Sequence, residues 1–80
     1  MERTEIMTRV QEIFRTVLQN ESVVLTDETT AEDVPGWDSL THVVIISEIE
    51  KHFGVRFSIR EMLSWKTVGK MVDCVAKKIG

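Results

Sequence analysis

Three stretches of this chain repeat apolar residues at helical spacing, and that periodicity constrains the fold more than any other feature. In the first, Ile6, Val10, Ile13, Phe14, Val17 and Leu18 fall at i, i+4, i+7, i+8, i+11 and i+12. The spacing predicts a helix from about residue 3 to about residue 19, with Glu2 and Glu5 near its start, where the dipole favours acids. In the second, a wheel at about 100° per residue gathers His42, Ile45, Ile46, Ile49 and Phe53 on one face. Leu40, Val44, Ser47 and Lys51 fall roughly opposite. That helix is expected to open at Asp38 or Ser39 and to close at His52 or Phe53, before Gly54 as its C′ residue. In the third, Val68, Met71, Val72, Val75 and Ile79 repeat the pattern behind Thr67, a plausible cap. Ser58 and Glu61 form an S-x-x-E capping box, which opens a short extra helix ending near Leu63 or Ser64. Strand formers other than Val and Ile are scarce, with no Tyr in the chain. The expected fold is all-α: a small four-helix bundle of three longer helices and one short one, with a long loop after the first.

Residues 20–37 carry no sustained period. Asp27, Thr29 and Thr30 are turn formers, and Pro35-Gly36 suits the central pair of a type II turn. A loop this long in a small domain is usually functional or disordered. Val23, Val24, Leu25, Val34 and Trp37 offer it apolar anchors, so an ordered loop is expected.

At 80 residues the chain is expected to form a single domain, 1–80. A domain of this size buries only about 60% of its unfolded surface, leaving little room for an enclosed active site. The net charge of −3 argues against nucleic acid, whose binders usually carry a basic stripe. Cys74 is the only cysteine, which excludes an internal disulfide and suits a reducing compartment. The start, MERTEIMTRV, lacks the apolar run of a signal peptide, and no segment approaches the ~18 apolar residues of a membrane span. A monomer in the cytoplasm, without membrane insertion, is the expectation.

Few residues carry chemistry. The two histidines, His42 and His52, form no H-x-x-x-H pair, and there is no C-x-x-C, EF-hand spacing or Gly-rich phosphate loop, so no metal site is expected. Ser39 lacks the G-x-S-x-G elbow of a serine hydrolase, and no catalytic residue is assigned. What remains is Gly36-Trp37-Asp38-Ser39-Leu40, which places an exposed hydroxyl at a helix start. Free backbone N–H groups and the positive dipole end favour a phosphate there. Read from physics alone, capping is the commoner use of such residues.

The run Asp38-Ser39-Leu40 closely resembles the attachment motif of acyl carrier proteins. The similarity extends end to end: a periodic first helix, a long loop, the motif, a second helix closing with Glu50-Lys51-His52-Phe53-Gly54, then a short and a fourth helix. The resemblance implies that Ser39 carries 4′-phosphopantetheine through a phosphodiester and that acyl groups ride as thioesters on its terminal thiol. It implies no catalysis by the chain itself. A phosphopantetheinyl transferase would install the group from coenzyme A, and acyl-loading and acyl-transferring enzymes would be the further partners. Asp38 would serve as cap and transferase contact, and Leu40 as a surface contact beside the arm. Two alternatives remain open: an aminoacyl or peptidyl carrier, which shares the motif, and an unmodified helical interaction module.

The charges are unevenly spread. Residues 20–39 hold Glu21, Asp27, Glu28, Glu32, Asp33 and Asp38 with no Lys or Arg, a net of −6, whereas residues 56–80 carry +4. An acidic field near Ser39, Glu32 and Asp33 included, would steer basic partners toward the arm. Fatty-acid-synthesis members of the family carry several acids just after the motif. Here those positions are Thr41, His42, Val43 and Val44, and acids return only at Glu48 and Glu50. The pattern looks more like that of specialised, pathway-dedicated carriers, with Leu40, Val44 and Glu48 in the partner surface. Cys74 reads as packing, Trp37 and Trp65 as loop anchors, and Met62 and Leu63 as core or as lining for an acyl-accepting cleft.

Overall fold

The three helical periods and the Ser58–Glu61 box become four α-helices in a computed structural model that describes residues 1–79: α1 (Arg3–Leu18), α2 (Ser39–Phe53), α3 (Ile59–Leu63) and α4 (Val68–Ile79). A single 3-10 turn, Ala31–Asp33, interrupts the loop between α1 and α2. Three of the boundaries have a local cause. α1 ends where Gln19 turns into the left-handed region (φ 52°), α2 ends at Gly54 (φ 67°), and Ser58 and Glu61 cap α3 reciprocally.

α1 packs against both α2 and α4. Its Ile6, Val10 and Phe14 meet Ile45, Ile46 and Ile49 of α2 and Val68, Met71, Val72 and Val75 of α4 in one buried cluster. Ile13, Val17 and Leu18 pack at its margin. The wheel for α2 needs one correction. Phe53 is only half-buried, lying against the ring of His52, and Phe57 occupies the enclosed position instead. Phe53 is the last residue of its helix, so no further turn covers it; the link after Gly54 then brings Phe57 inward. Glu50 secures that link, its carboxylate accepting the Phe57 N–H at 2.9 Å.

The long loop is ordered by both apolar anchors and hydrogen bonds. Val23, Leu25 and Val34 are buried, whereas Val24, its side chain pointing away between two inward neighbours, is exposed. Arg15 donates to the Val23 carbonyl (2.8 Å), and the Leu25 N–H donates to the Gln11 side chain (2.9 Å). The middle of the loop completes α4. Val68 N–H donates to the Thr29 carbonyl (2.9 Å) and Gly69 N–H to that of Asp27 (3.0 Å), satisfying amides a helix start leaves without partners. Thr67 contributes as well, accepting from Lys70 N–H at 3.3 Å. The approach at Gly69 is so close that a Cβ would lie 2.7 Å from the Asp27 carbonyl oxygen. Arg3 closes the same corner, bridging Asp27 (2.9 Å) and Asp73 (2.7 Å).

This packing orders the aromatic truncations. Phe57→Ala is expected to cost about 3–5 kcal/mol, the usual range for an enclosed Phe, and Phe53→Ala distinctly less. Urea denaturation of both variants checks this; an equal or larger loss at Phe53 would mean that α2 is rotated from the position described.

Candidate functional site at the start of helix two

Residues Val34–Trp37 form the predicted turn: Trp37 N–H donates to the Val34 carbonyl at 3.2 Å, and Gly36 takes φ 87°, the value a type II turn demands at its third position. The turn delivers the chain to Asp38, the N-cap. Asp38 Oδ1 accepts from the N–H groups of Leu40 and Thr41, both at 3.0 Å. Thr41 reciprocates: its hydroxyl accepts from Asp38 N–H (2.8 Å) and donates to the Gly36 carbonyl (2.7 Å). The Thr41 N–H is the main cause that holds the Asp38 carboxyl below its ordinary value. Capping falls to Asp38 and Thr41, so Ser39, exposed as the first residue of α2, keeps its hydroxyl outside the cap.

The helix start differs from the sequence expectation in one respect. The amides of Leu40 and Thr41 are not free for a phosphate, because Asp38 already occupies them. The helix end still offers its dipole, but beside a carboxylate.

Behind Ser39 runs a row of aromatic rings. Phe14 meets Trp37 edge-on at 4.8 Å between centroids, and Trp37 lies 5.8 Å from His42. His42 in turn meets Trp65 at 6.5 Å, and Trp65 meets Phe57 edge-on at 4.8 Å. Trp37 Nε1–H donates to His42 Nδ1 at 3.0 Å, which requires that nitrogen to be unprotonated. Burial also pushes the His42 pKa below its ordinary 6.5. Trp37, Ser39, His42, Trp65 and Lys66 line a shallow pocket of about 270 Å³.

Trp65 owes its place to α3. Glu61 accepts from Ser58 N–H (2.8 Å) and pairs with Lys78 of α4 (3.0 Å); these two contacts, the Ser58 N–H first, lower its carboxyl to about 2. Cys74 packs half-buried with its thiol 3.7 Å from the same carboxylate, and burial raises its pKa. Met62 packs against the core, but Leu63 is exposed, so α3 brings only the first of them inward.

Leu40 (79% exposed) and Val44 (48%) both face outward. Val43 joins them at 66%, a residue the wheel did not single out because it lies between the two faces. Val44 and Glu48 border a groove against Ile13 and Val17 of α1. Glu32 and Asp33 sit in the 3-10 turn, and Asp33 also braces the loop, its carboxylate accepting the N–H of Thr30 at 2.9 Å. Among the described residues no cluster of His, Cys, Asp or Glu is arranged to hold a metal ion, and no helix is long and apolar enough to cross a membrane.

Comparison with known proteins decides the family. Residues 8–75 match the model of the phosphopantetheine attachment site. The chain belongs to the acyl carrier protein family. It is 32% identical over 78 residues to the acyl carrier protein of Thermotoga maritima, covering 98% of this chain and 96% of that protein. The solution structure of the holo acyl carrier protein from Geobacter metallireducens superposes with a TM-score of 0.87 at 39% identity, covering 92% of this chain and 85% of that one. The prosthetic group of this acyl carrier protein is 4′-phosphopantetheine, and its role is that of a carrier, not a catalyst. The site fits the group: an exposed hydroxyl outside the cap, with a pocket beside it.

The Trp37–His42 bond predicts a pH dependence. Because folding lowers the His42 pKa, the stability this imidazole contributes is complete above about 6.5 and declines as pH falls through the folded-state value. Tryptophan emission and thermal stability are expected to change together in that window and to lose the transition in His42→Gln, which keeps His52 as an internal control. An unaltered transition in the variant would place the titrating group elsewhere.

Proposed function

We propose that this is a discrete, monomeric acyl carrier protein, a single domain of the cytoplasm, with 4′-phosphopantetheine joined to Ser39 and acyl groups presented to enzymes of a dedicated biosynthetic pathway. The observation that carries the reading is the division of labour at the helix start. Asp38 and Thr41 complete the cap, so the Ser39 hydroxyl is exposed and its esterification breaks no capping bond. When bound, the group supplies a terminal thiol on which acyl groups are held as thioesters. The chain's own residues fix where that arm begins. The Gly36 turn and the reciprocal cap set the direction of α2, and the aromatic row behind them ties this end to the core.

The partners of this reading are a phosphopantetheinyl transferase and acyl-loading and acyl-transferring enzymes. Leu40, Val43 and Val44 form an apolar face next to Ser39, with Glu48 at its edge. An apolar centre of this kind sets affinity, while the acidic loop speeds encounter. Asp38 and Leu40, flanking the attachment point, are the transferase's nearest contacts.

Ser39→Ala is expected to remain folded, with a loss well below the ~1 kcal/mol typical of a removed cap, and to accept no group from coenzyme A. Thermal unfolding and intact mass after treatment with a broad-specificity transferase check both parts; a modified variant would overturn the assignment. Val44→Glu is expected to weaken the cognate loading enzyme by roughly tenfold, about 1.4 kcal/mol, through a charge placed in a desolvated contact. Glu32→Gln is expected instead to slow association and flatten its salt dependence. Glu32 is the cleaner probe, since Asp33 also caps the loop. Transfer kinetics at two salt concentrations separate the two effects, and an unchanged affinity in Val44→Glu would exclude the apolar face as the docking centre.

A further inference from the structure

The cap that frees Ser39 also creates an electrostatic problem for whatever is attached there. A phosphodiester on Ser39 carries a negative charge beside the Asp38 carboxylate, and the two amides that would ordinarily receive it already donate to that carboxylate. The preceding segment adds no cation, since residues 20–39 contain neither Lys nor Arg. His42 does not supply one either: its Nδ1 accepts from Trp37, and burial favours the neutral ring. Lys66 remains. It is exposed, lines the same pocket as Ser39, and makes no ion pair among the described residues.

We propose that the pocket between the start of α2 and the α3–α4 link, walled by Trp37, His42 and Trp65, seats the root of the phosphopantetheine arm, with Lys66 as the counter-charge of its phosphodiester. This rests on Ser39 being the attachment point. The occupant follows from tether, charge and size. Ser39 is itself a lining residue, so a group esterified to it begins at the pocket. The acid-rich surroundings make an anion unfavourable except next to this lysine. At about 270 Å³ the pocket lies below the ~300–1,000 Å³ that encloses a drug-sized ligand, so it holds the phosphodiester and the branched methyl carbons next to it, not the whole arm. The indole and imidazole rings give those carbons an apolar wall, while the distal amides and thiol stay outside. The arm thus leaves the domain from a fixed point, beside the apolar face of Leu40, Val43 and Val44.

The test compares unmodified and loaded protein by ¹H–¹⁵N correlation and ³¹P spectra, in the wild type, Lys66→Gln and Lys66→Arg, with intact mass confirming loading of each. Loading is expected to shift the indole N–H signals of Trp37 and Trp65 in the wild type. Lys66→Gln is expected to lose more than half of that shift and to move the ³¹P resonance, and Lys66→Arg to retain both. Equal shifts in all three proteins, or indole signals that do not respond to loading, would overturn the seat while leaving Ser39 as the attachment point. Absence of the added mass in the wild type would instead overturn the attachment assignment, and the seat with it.

Discussion

Asp38 carries the constraint on which the site depends. A helix must satisfy its first amides, and here one carboxylate takes two of them while its own N–H is received by Thr41. The Thr41 hydroxyl then reaches back to the Gly36 carbonyl, binding turn and helix into one unit. The adjacent serine is left exposed at a position fixed to within a side-chain rotation. An attachment point needs this combination, a rigid origin and a free hydroxyl, more than it needs an activated group.

A start so exposed must be braced from behind, and the aromatic row does this. It begins at Phe14, buried in the core, and passes through Trp37 and His42 to Trp65 and Phe57. Its members come from α1, the loop, α2 and the links on either side of α3, so displacement of any of these segments disturbs the row. The loop is held at its middle by the backbone bonds that complete α4. The acidic stretch is therefore an ordered surface, and its charges keep defined positions relative to Ser39.

The helices were legible in the sequence because their determinants are local. Period, the Ser58–Glu61 box, Gly54 and the Pro35-Gly36 turn each act within a few residues. The exposure of Ser39 at a helix start was legible from Asp38-Ser39-Leu40, and the outward faces of Leu40 and Val44 from the wheel. What escaped depends on contacts distant in sequence. Nothing near Gly69 announces that the Asp27 carbonyl will lie against it, although a glycine at a helix start was the available clue. Phe57 displaced Phe53 from the enclosed position because a wheel carries no information about where the next segment returns. Likewise, acidic residue type alone cannot separate Asp33, Glu50 and Glu61, which accept backbone N–H groups, from Glu32, which projects as charge.

On this reading, the geometry at the start of α2 selects one hydroxyl among several. Ser22, Ser39, Ser47, Ser58 and Ser64 are all exposed, but Ser58 is occupied with its cap, and only Ser39 follows an aspartate cap at a helix start. The most direct measurement is fragmentation mass spectrometry of the protein after reaction with coenzyme A and a phosphopantetheinyl transferase, which locates the added group on a single residue. One phosphopantetheine per chain is expected, on Ser39. The group found on any other serine, or spread over several, would contradict it.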